Sequence, residues 1–288
     1  MRPVRPLVIK ELGVVMLAAA CATWSVPAAA QWLDYPTRNV PRAPNGEPDL
    51  DAPAPRTRDG KPDFSGIWRA QDTLGTSCNG VEPGDGSEDC IEQMLLPLDA
   101  IDIGRTRPGG LPYQPWAAEL VRRRAADNAK DDPHARCLPP NFPRAYSLPQ
   151  YWKIVQTPEL IVILHEFNAT YRQIHVDGRP LPVDPNPYWS GYSTARWDGD
   201  TLIVESNGFR DDLWLDLNGS PLTEAARVTE RFRRMDYGHL EIEVTVDDPN
   251  VYTAPWSVLL RQTIVLDTEL LEQICLENEK SVEHMTGN

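Results

Sequence analysis

The second half of this 288-residue chain is a succession of short β-prone segments, and no other feature restricts its fold as strongly. The segments are rich in Val, Ile, Thr and aromatic residues, and turn residues separate each from the next. There are nine of them: Trp152–Thr157, Leu160–Phe167, Thr170–Val176, Tyr192–Trp197, Thr201–Ser206, Arg227–Met235, His239–Asp247, Trp256–Leu266 and Leu270–Cys275. Parallel neighbours need long crossover connections, usually helical, and no helical pattern separates these segments. With Phe64–Trp68 as a first strand, the sequence predicts an antiparallel up-and-down meander of nine or ten strands.

Such a meander either closes into a barrel or folds into a sandwich. Closure removes exposed strand edges, so we predict a mainly β chain that forms a closed barrel. The barrel domain is expected to span residues 63–288, with an irregular excursion at 71–110 and one helix at 115–128. Seven prolines between residues 36 and 62 predict an extended segment at 31–62, because proline fixes φ and removes a backbone donor.

The first thirty residues predict export. Arg2, Arg5 and Lys10 form a basic start, residues 12–26 are apolar or small, and Ala28–Ala30 is typical of a signal peptidase site. Cleavage near Ala30 would release a periplasmic or secreted protein, with lipoprotein processing at Cys21 as the alternative. The apolar run is shorter than the roughly 20 residues of a spanning helix, so no transmembrane segment is expected.

The charge of the mature chain excludes one class of partner. Without residues 1–30, 25 basic and 41 acidic side chains remain, a net charge of −16. A surface this negative repels phosphate backbones, so we expect no nucleic-acid partner. The sequence leaves the oligomeric state open.

Four cysteines remain after the predicted cleavage. An even number of cysteines in an oxidising compartment predicts disulfides, and we favour Cys78–Cys90 together with Cys137–Cys275. Free, buried thiols are the alternative. No Cys or His spacing typical of a metal site is present, and no phosphate-binding loop is present either, so we predict no metal and no organic cofactor.

Turn residues set the expected register of three hairpins. Residues 198–199 (Asp-Gly) and 168–169 (Asn-Ala) are each expected to form a two-residue turn. Residues 236–238 are expected to form a three-residue loop with Gly238 in the left-handed conformation. In that last register, arginines of one strand face acids of the next, as Arg231 faces Glu243.

Glu230 is the strongest candidate for chemistry. The register of the 236–238 hairpin places it on the apolar face, between Val228 and Phe232. A buried, unpaired carboxylate is costly, so it must find a partner or take up a proton. One interpretation is a general acid or base with a raised pKa at the bottom of a cavity. The other is a salt bridge to an arginine on a neighbouring strand.

A second cluster lies on the hairpin of residues 160–177. Glu166 or His175 is the predicted catalytic counterpart of Glu230, and an ordinary solvated strand face is the alternative. Arg172 is expected to hold an anionic group of a ligand. The other predicted ligand-binding residues are Asp177, Tyr192, Glu205, Arg231 and Trp197. Arg231 contributes only if the charged face of its hairpin lines the lumen.

Tryptophans recur at strand starts and in the loops between strands. They are Trp68, Trp152, Trp189, Trp197, Trp214 and Trp256. In a small barrel such residues line a mouth that stacks on rings or sugars, or they simply pack the core.

Two resemblances concern the whole chain. The Gly66-Ile67-Trp68 motif resembles the GxW strand of lipocalin-type barrels, which implies a lipocalin-like fold. The stretch from Asp59 to Asn278 is similar to a family of uncharacterised secreted bacterial proteins. The motifs that carry this similarity are Cys137-Leu-Pro-Pro140 with Pro143-Arg144, Arg172-Gln-Ile174 with Asp177-Gly-Arg179, Trp197-Asp-Gly-Asp-Thr-Leu202, Thr229-Glu-Arg231 and Tyr252-Thr253 with Pro255-Trp256. It implies export and a shared architecture, but no activity.

These observations lead to one hypothesis and two alternatives. We expect a β-barrel that binds a sugar-like or aromatic small molecule in a cavity lined by aromatic, Arg and carboxylate side chains. Cofactor-free acid–base catalysis (hydrolysis, elimination or isomerisation) is expected if the protein is an enzyme. The alternatives are a non-catalytic carrier or sensor of an apolar ligand, and a structural envelope protein.

Overall fold

A computed structural model describes residues 35–71 and 97–277. The predicted signal peptide, Cys78 and Cys90 lie outside these residues. Eleven strands are described: β1 (Gly66–Ala70), β2 (Trp152–Gln156), β3 (Leu160–His165), β4 (Thr170–His175), β5 (Tyr192–Asp198), β6 (Thr201–Asn207), β7 (Leu213–Trp214), β8 (Pro221–Leu222), β9 (Arg227–Arg234), β10 (His239–Asp247) and β11 (Trp256–Val265). Two α-helices are described as well, α1 (Leu98–Ile101) and α2 (Pro115–Ala126).

Nine of these strands form a closed barrel, in the order β1-β11-β10-β9-β6-β5-β4-β3-β2, which confirms the predicted fold class. Strands β7 and β8 pair separately. The predicted last strand, Leu270–Cys275, is wrong: this segment is irregular and forms one isolated β-bridge, from Gln273 to Phe167. Backbone hydrogen bonds join Gln273 to residues 166 and 168, and Cys275 N–H donates to the side chain of Asn168, at Oδ1, over 2.9 Å.

One junction of the barrel departs from the antiparallel pattern. Strands β4 and β5 run parallel and pair over only two positions, Ile174 with Ser193 and His175 with Thr194. An odd number of strands cannot close with every neighbour antiparallel, so a nine-stranded barrel needs such a junction. The crossover is residues 176–191, which contain four prolines and no helix. The length of this loop, rather than a helix, satisfies the crossover requirement.

The hairpin registers follow the predictions in part. The β9–β10 pairing, including Arg231 with Glu243, is confirmed. The β5–β6 and β3–β4 registers are each shifted by two residues, so that Thr194 pairs with Glu205 and Leu164 pairs with Tyr171. A shift of two keeps every side chain on its predicted face, because side chains along a strand alternate with period two.

The lumen is filled by side chains from alternate strand positions and by a plug. The plug is residues 140–148, nine consecutive buried residues that include the 3₁₀ turn Arg144–Ser147. Tyr146 lies at its centre, with ring centroids 4.8 Å from Phe142, 5.0 Å from Trp152 and 6.0 Å from Phe232. These aromatic contacts hold the plug against the inner faces of β2 and β9.

The Pro-rich segment packs against the barrel as a strap (residues 35–64) made of two similar hairpins. The pattern Pro-Arg-x-x-x-Gly-x-Pro-Asp-apolar occurs at 41–50 and again at 55–64. Each copy closes on the same backbone bond, Asp49 N–H to Pro41 O and Asp63 N–H to Pro55 O, both 2.9 Å. The prolines therefore shape two turns, and the final apolar residue of each copy, Leu50 or Phe64, packs on the core.

Gly238 differs from its prediction. It does not adopt the left-handed conformation; instead, Leu50 of the strap packs directly on it. A Cβ at this position would lie 2.7 Å from Leu50 Cβ, a distance that side chains do not tolerate. Gly238 N–H also donates to Leu50 O at 2.8 Å. The glycine is required by a tertiary contact rather than by its φ.

Candidate functional site

Glu230 points into the lumen, as its register predicts, and it is completely buried. Its partner is Arg172 on β4, whose guanidinium donates to both carboxylate oxygens: Nη1 to Oε1 at 2.9 Å, and Nη2 to Oε2. The two strands are not neighbours, since β5 and β6 lie between them. The geometry is therefore that of a buried, bidentate salt bridge that spans four strands.

The guanidinium of Arg172 is satisfied on every side. Ser193 Oγ accepts from Nε at 3.1 Å, Ser206 Oγ accepts from Nη2 at 2.9 Å, and Tyr146 OH accepts from Nη1 at 2.7 Å. These residues come from β5, β6 and the plug. Together with Arg172 and Glu230 they form a buried polar row that joins strands far apart in sequence. Complete satisfaction makes a buried charge pair tolerable in an apolar core.

The electrostatics of this row keep its charges fixed. Burial by itself lowers the pKa of Arg172, but the carboxylate of Glu230 and the phenol of Tyr146 together outweigh burial and raise it. Burial, together with the nearby Glu230 carboxylate, raises the pKa of Tyr146 well above its usual value. The row therefore holds one positive guanidinium, and its phenol stays protonated at neutral pH.

Glu166 and His175 do not meet. Glu166 accepts two backbone N–H groups, from Tyr151 at 2.9 Å and from Leu271 at 3.0 Å, and so fastens the irregular C-terminal segment to β3. His175 pairs with Leu160 at the opposite end of the β3–β4 hairpin. Neither residue is hydrogen-bonded to Glu230, whose carboxylate is bound by Arg172.

An open groove lies at the parallel junction of β4 and β5, which we call the seam groove. Its volume is about 540 Å³. It is lined by Pro139, Pro140, Asn168, Ala169, Thr170, Tyr171, Arg172, Gln173, His175, Tyr188, Trp189, Ser190, Gly191, Tyr192 and Ser193. One edge of β4 pairs with β3 along its whole length, but the other edge pairs with β5 only at Ile174 and His175. The unpaired remainder of that second edge borders the groove.

Local sequence builds the far wall of the groove. The prolines of residues 176–191 lack N–H groups and keep the crossover loop from pairing with β4. Gly191 has φ +64° and brings the chain into β5 so closely that a Cβ would lie 2.8 Å from Asn207 O. Only glycine easily accommodates both the positive φ and the close approach to Asn207. The loop thereby delivers Tyr188 and Trp189 to the groove.

Aromatic rings dominate the groove surface. His175 and Tyr192 stack with ring centroids 5.3 Å apart and an interplanar angle of 27°. Tyr171 on β4 is 63% exposed, and the guanidinium of Arg210 lies 4.9 Å from the centre of the Trp189 ring. Flat, partly exposed rings of this kind bind sugar faces and aromatic ligands by stacking.

The polar rim of the groove is formed around His175. Arg179 pairs with Asp177 and also donates to Tyr192 OH at 3.1 Å. Partial burial, and then the charge of Arg179, lower the pKa of His175, which favours the neutral imidazole at pH 7. Hydrogen bonds from Arg179 lower the pKa of Asp177. His175, Arg172 and Tyr192 thus line the groove as a set, and Asp177 supports them from outside it.

The remaining predicted ligand-binding residues lie elsewhere. Glu205 and Arg231 are exposed on the outer face of the barrel, where Glu205 lies 3.7 Å from Arg196. Trp197 lies at the strap end of the barrel and stacks on Phe64 with centroids 5.6 Å apart. Arg231 does not face the lumen, because its hairpin turns its apolar side inward.

Sequence reasoning missed three groove residues: Tyr171, Tyr188 and Trp189. Trp189 belongs to the recurring tryptophans, but nothing in the sequence indicates that its loop folds against β4. Of the other tryptophans in that set, Trp68, Trp152, Trp214 and Trp256 pack in the core.

One predicted disulfide joins the edge of the groove to the C-terminal segment. Cys137 and Cys275 are bonded, with Cα atoms 5.3 Å apart, as predicted. Asn168, at the groove, donates to Cys137 O at 2.7 Å and accepts from Cys275 N–H. The disulfide and Asn168 therefore fix this end of the groove together.

Searches of family profiles, curated proteins and solved structures found no match for this chain. Among the described residues, no helix is both long and apolar enough to cross a bilayer. The fold and the groove define a nine-stranded β-barrel with a filled lumen and an aromatic groove in its side wall.

Proposed function

We propose that this chain is an exported barrel protein that binds a small, ring-containing molecule, sugar-like or aromatic, in the seam groove. One observation carries the proposal. In a chain with a net charge of −14, the described residues that line the groove include five aromatic or imidazole rings and no carboxylate. Aromatic rings that remain partly exposed beside a concave surface are typical of ligand sites.

The chemistry of the lining favours a neutral or anionic ring. Stacking surfaces come from Tyr171, Trp189 and the His175–Tyr192 pair, and polar contacts come from the Gln173 amide and the Ser190 hydroxyl. Arg172 lies at the floor, but its charge is balanced by Glu230, so the floor presents a rigid and nearly neutral surface. A cationic ligand would find no carboxylate among the described lining residues.

Acid–base catalysis, if present, would use His175 rather than Glu230. Glu230 is fully buried, is bound on both oxygens by Arg172 and does not line the groove. The lowered pKa of His175 leaves a lone pair available on its ring near neutral pH. Binding without turnover remains the simpler proposal, and the structural envelope role is the outcome if no ligand binds.

The proposed location outside the cytoplasm is supported by two observations. The N-terminal sequence has the pattern of a signal peptide, and the Cys137–Cys275 disulfide is of a kind that persists in oxidising compartments.

Ligand titration tests the proposal directly. We would screen neutral sugars, aromatic acids and aromatic alcohols against the purified protein by thermal shift and follow the hits by Trp fluorescence, since Trp189 lies in the groove. Tyr192→Ala and Trp189→Leu are expected to weaken binding about tenfold each, because each removes a stacking surface. Val155→Ala, an exposed change on β2 outside the groove, is the matched control and should bind as the wild type does.

Two outcomes would contradict the proposal. The first is that no compound of these classes binds. The second is that a compound binds with the same affinity to the wild type, Tyr192→Ala and Trp189→Leu. Turnover of a bound compound that is lost in His175→Gln but kept in Glu230→Gln would add catalysis to the proposal.

A further inference from the structure

A second pocket lies between the strap and the ends of β1 and β11, at residues that are distinct from those of the seam groove. We call it the strap pocket; its volume is about 710 Å³. Its apolar wall is formed by Ile67, Ile264 and Val265, and its polar lining includes Arg38, Arg234 and Asp63. None of these residues belongs to the seam groove.

Arg234 gives this pocket its character. The residue is only 7% exposed, and its guanidinium lies between two rings, 4.9 Å from the centre of Trp68 and 5.5 Å from that of Tyr237. It donates to backbone carbonyls alone: to Asp63 and Ser65 from Nη1, to Asp236 from Nε and to Tyr237 from Nη2. Four of its five N–H groups are thus used, and one on Nη2 remains.

This arrangement holds the cation without neutralising it. Carbonyl groups are dipoles and carry no net charge, and Arg234 forms no ion pair with any residue in the described part of the chain. Burial lowers its pKa to about 10, although the nearby Asp63, Tyr237 and Asp236 oppose this effect. Arg172 differs from Arg234 in this respect, because its buried guanidinium is neutralised by a bidentate salt bridge to Glu230.

The other charges of the pocket leave a positive excess. Lys153 and Glu269, both in the lining, pair with each other. Arg38 is exposed at the pocket and forms no ion pair with a described residue, so Asp63 is the one lining carboxylate left to face Arg38 and Arg234, while Asp236 and Asp267 lie just outside the lining. The lining residues by themselves carry one more positive than negative charge, in a chain whose net charge is −14.

From this geometry we propose that the strap pocket binds an organic anion, with its carboxylate at Arg234 and Arg38 and its apolar body along Ile67, Ile264 and Val265. Arginine favours oxyanions because its planar fork matches their geometry. The strap contributes Arg38 itself and the Asp63 carbonyl, which orients Arg234 together with the carbonyl of the next residue but one, Ser65. The site is separate from the proposed ligand site in the seam groove.

Isothermal titration calorimetry with octanoate, sulfate and inorganic phosphate tests the proposal. Octanoate is expected to bind, and sulfate or phosphate is expected to compete for the same site more weakly because neither has an apolar body. Arg38→Gln should weaken octanoate binding about fivefold, as expected for loss of a partly exposed charge. Arg234→Lys should weaken it about thirtyfold, since a buried, oriented guanidinium is replaced by a point charge.

Matched variants keep the result interpretable. Arg122→Gln removes an exposed arginine from α2, away from the pocket, and should bind octanoate as the wild type does. His175→Ala in the seam groove should also leave octanoate binding unchanged, so failure of one site is distinguishable from failure of the other. If Arg234→Lys does not fold, Arg38→Gln still decides the question.

Three results would overturn the proposal: no heat of binding with octanoate, equal affinity in wild type and Arg38→Gln, or an equal loss of affinity in Arg122→Gln and Arg38→Gln. The last result would show that octanoate responds to overall charge rather than to the strap pocket.

Discussion

The two faces of strand β4 have opposite character. Arg172 and Ile174 point inward and are buried, Arg172 in a satisfied hydrogen-bond network and Ile174 in the apolar core, whereas Tyr171, Gln173 and His175 point outward into the seam groove. A strand alternates its side chains, so one short sequence serves the core with one set and an open surface with the other. The lesson is that on β4 the buried charge of Arg172 belongs to the core network, whereas the proposed ligand contacts lie on the neighbouring residues of the other face.

Substitution of Glu230 tests the inward face and should have the largest effect. Glu230→Gln leaves the buried guanidinium of Arg172 without its counter-charge, so we expect a loss of about 3–5 kcal/mol in the free energy of unfolding. Urea denaturation measures it. Glu205→Gln, an exposed change on β6, should stay within about 0.5 kcal/mol. Wild-type stability in Glu230→Gln would show that the network is not essential to the core.

Removal of the disulfide tests whether the edge of the groove is stabilised independently of the lumen. The double variant Cys137→Ser with Cys275→Ser is expected to lose about 2–4 kcal/mol, because the crosslink restricts the unfolded chain. Urea denaturation of the wild type in a reducing agent should give at least the same loss, because the predicted Cys78–Cys90 bond would be reduced as well. If neither change lowers the unfolding midpoint, the crosslink makes no contribution to stability.

The pH dependence of stability distinguishes the two faces of the β3–β4 hairpin, because each face carries one histidine. Burial lowers the pKa of His165 to about 4, so the folded protein keeps it neutral while the unfolded chain binds a proton below about 6.5. Stability should therefore fall as the pH decreases from about 6.5 to about 4, by about 2–3 kcal/mol, and then level off.

Unfolding free energies measured across that pH range check the inward histidine. His165→Gln should flatten the dependence, while His175→Gln on the outward face should change it less. His134, whose pKa burial also lowers to about 4, is expected to leave a residual slope in His165→Gln. An unchanged slope in His165→Gln would contradict the assignment.

Substitutions in the groove should have the smallest effect on stability. His175→Ala and Gln173→Ala remove partly exposed side chains that bury little area, so each should change the unfolding free energy by no more than about 0.5 kcal/mol. Thermal and urea denaturation measure this change. A loss above about 2 kcal/mol would mean that the outward face of β4 also stabilises the barrel, and the contrast between the faces would fail.

Much of the barrel follows from local sequence. Period-two alternation, turn residues and opposed charges predict the strands, the faces and the β9–β10 register, because these depend on neighbours a few residues apart. The shifted registers show the limit: the turn predicted at 198–199 lies one residue later, and the turn predicted at 168–169 is replaced by the four-residue loop 166–169. Local chemistry permits each alternative, and tertiary packing selects between them. The two predicted alternatives for Glu230 could not be separated, since its partner is contributed by a strand three positions away in the barrel.

The sequence by itself determined which side chains face inward and that the chain is a β meander, because alternation and turn chemistry are local, and it favoured the pairing of Cys137 with Cys275, because few cysteines are present. Only the tertiary structure decided that Arg172 neutralises Glu230, that β4 and β5 meet in parallel and that a proline-rich loop delivers Trp189 to a groove. Each of these depends on how nine strands close into a ring, and closure is a property of the whole barrel rather than of any segment.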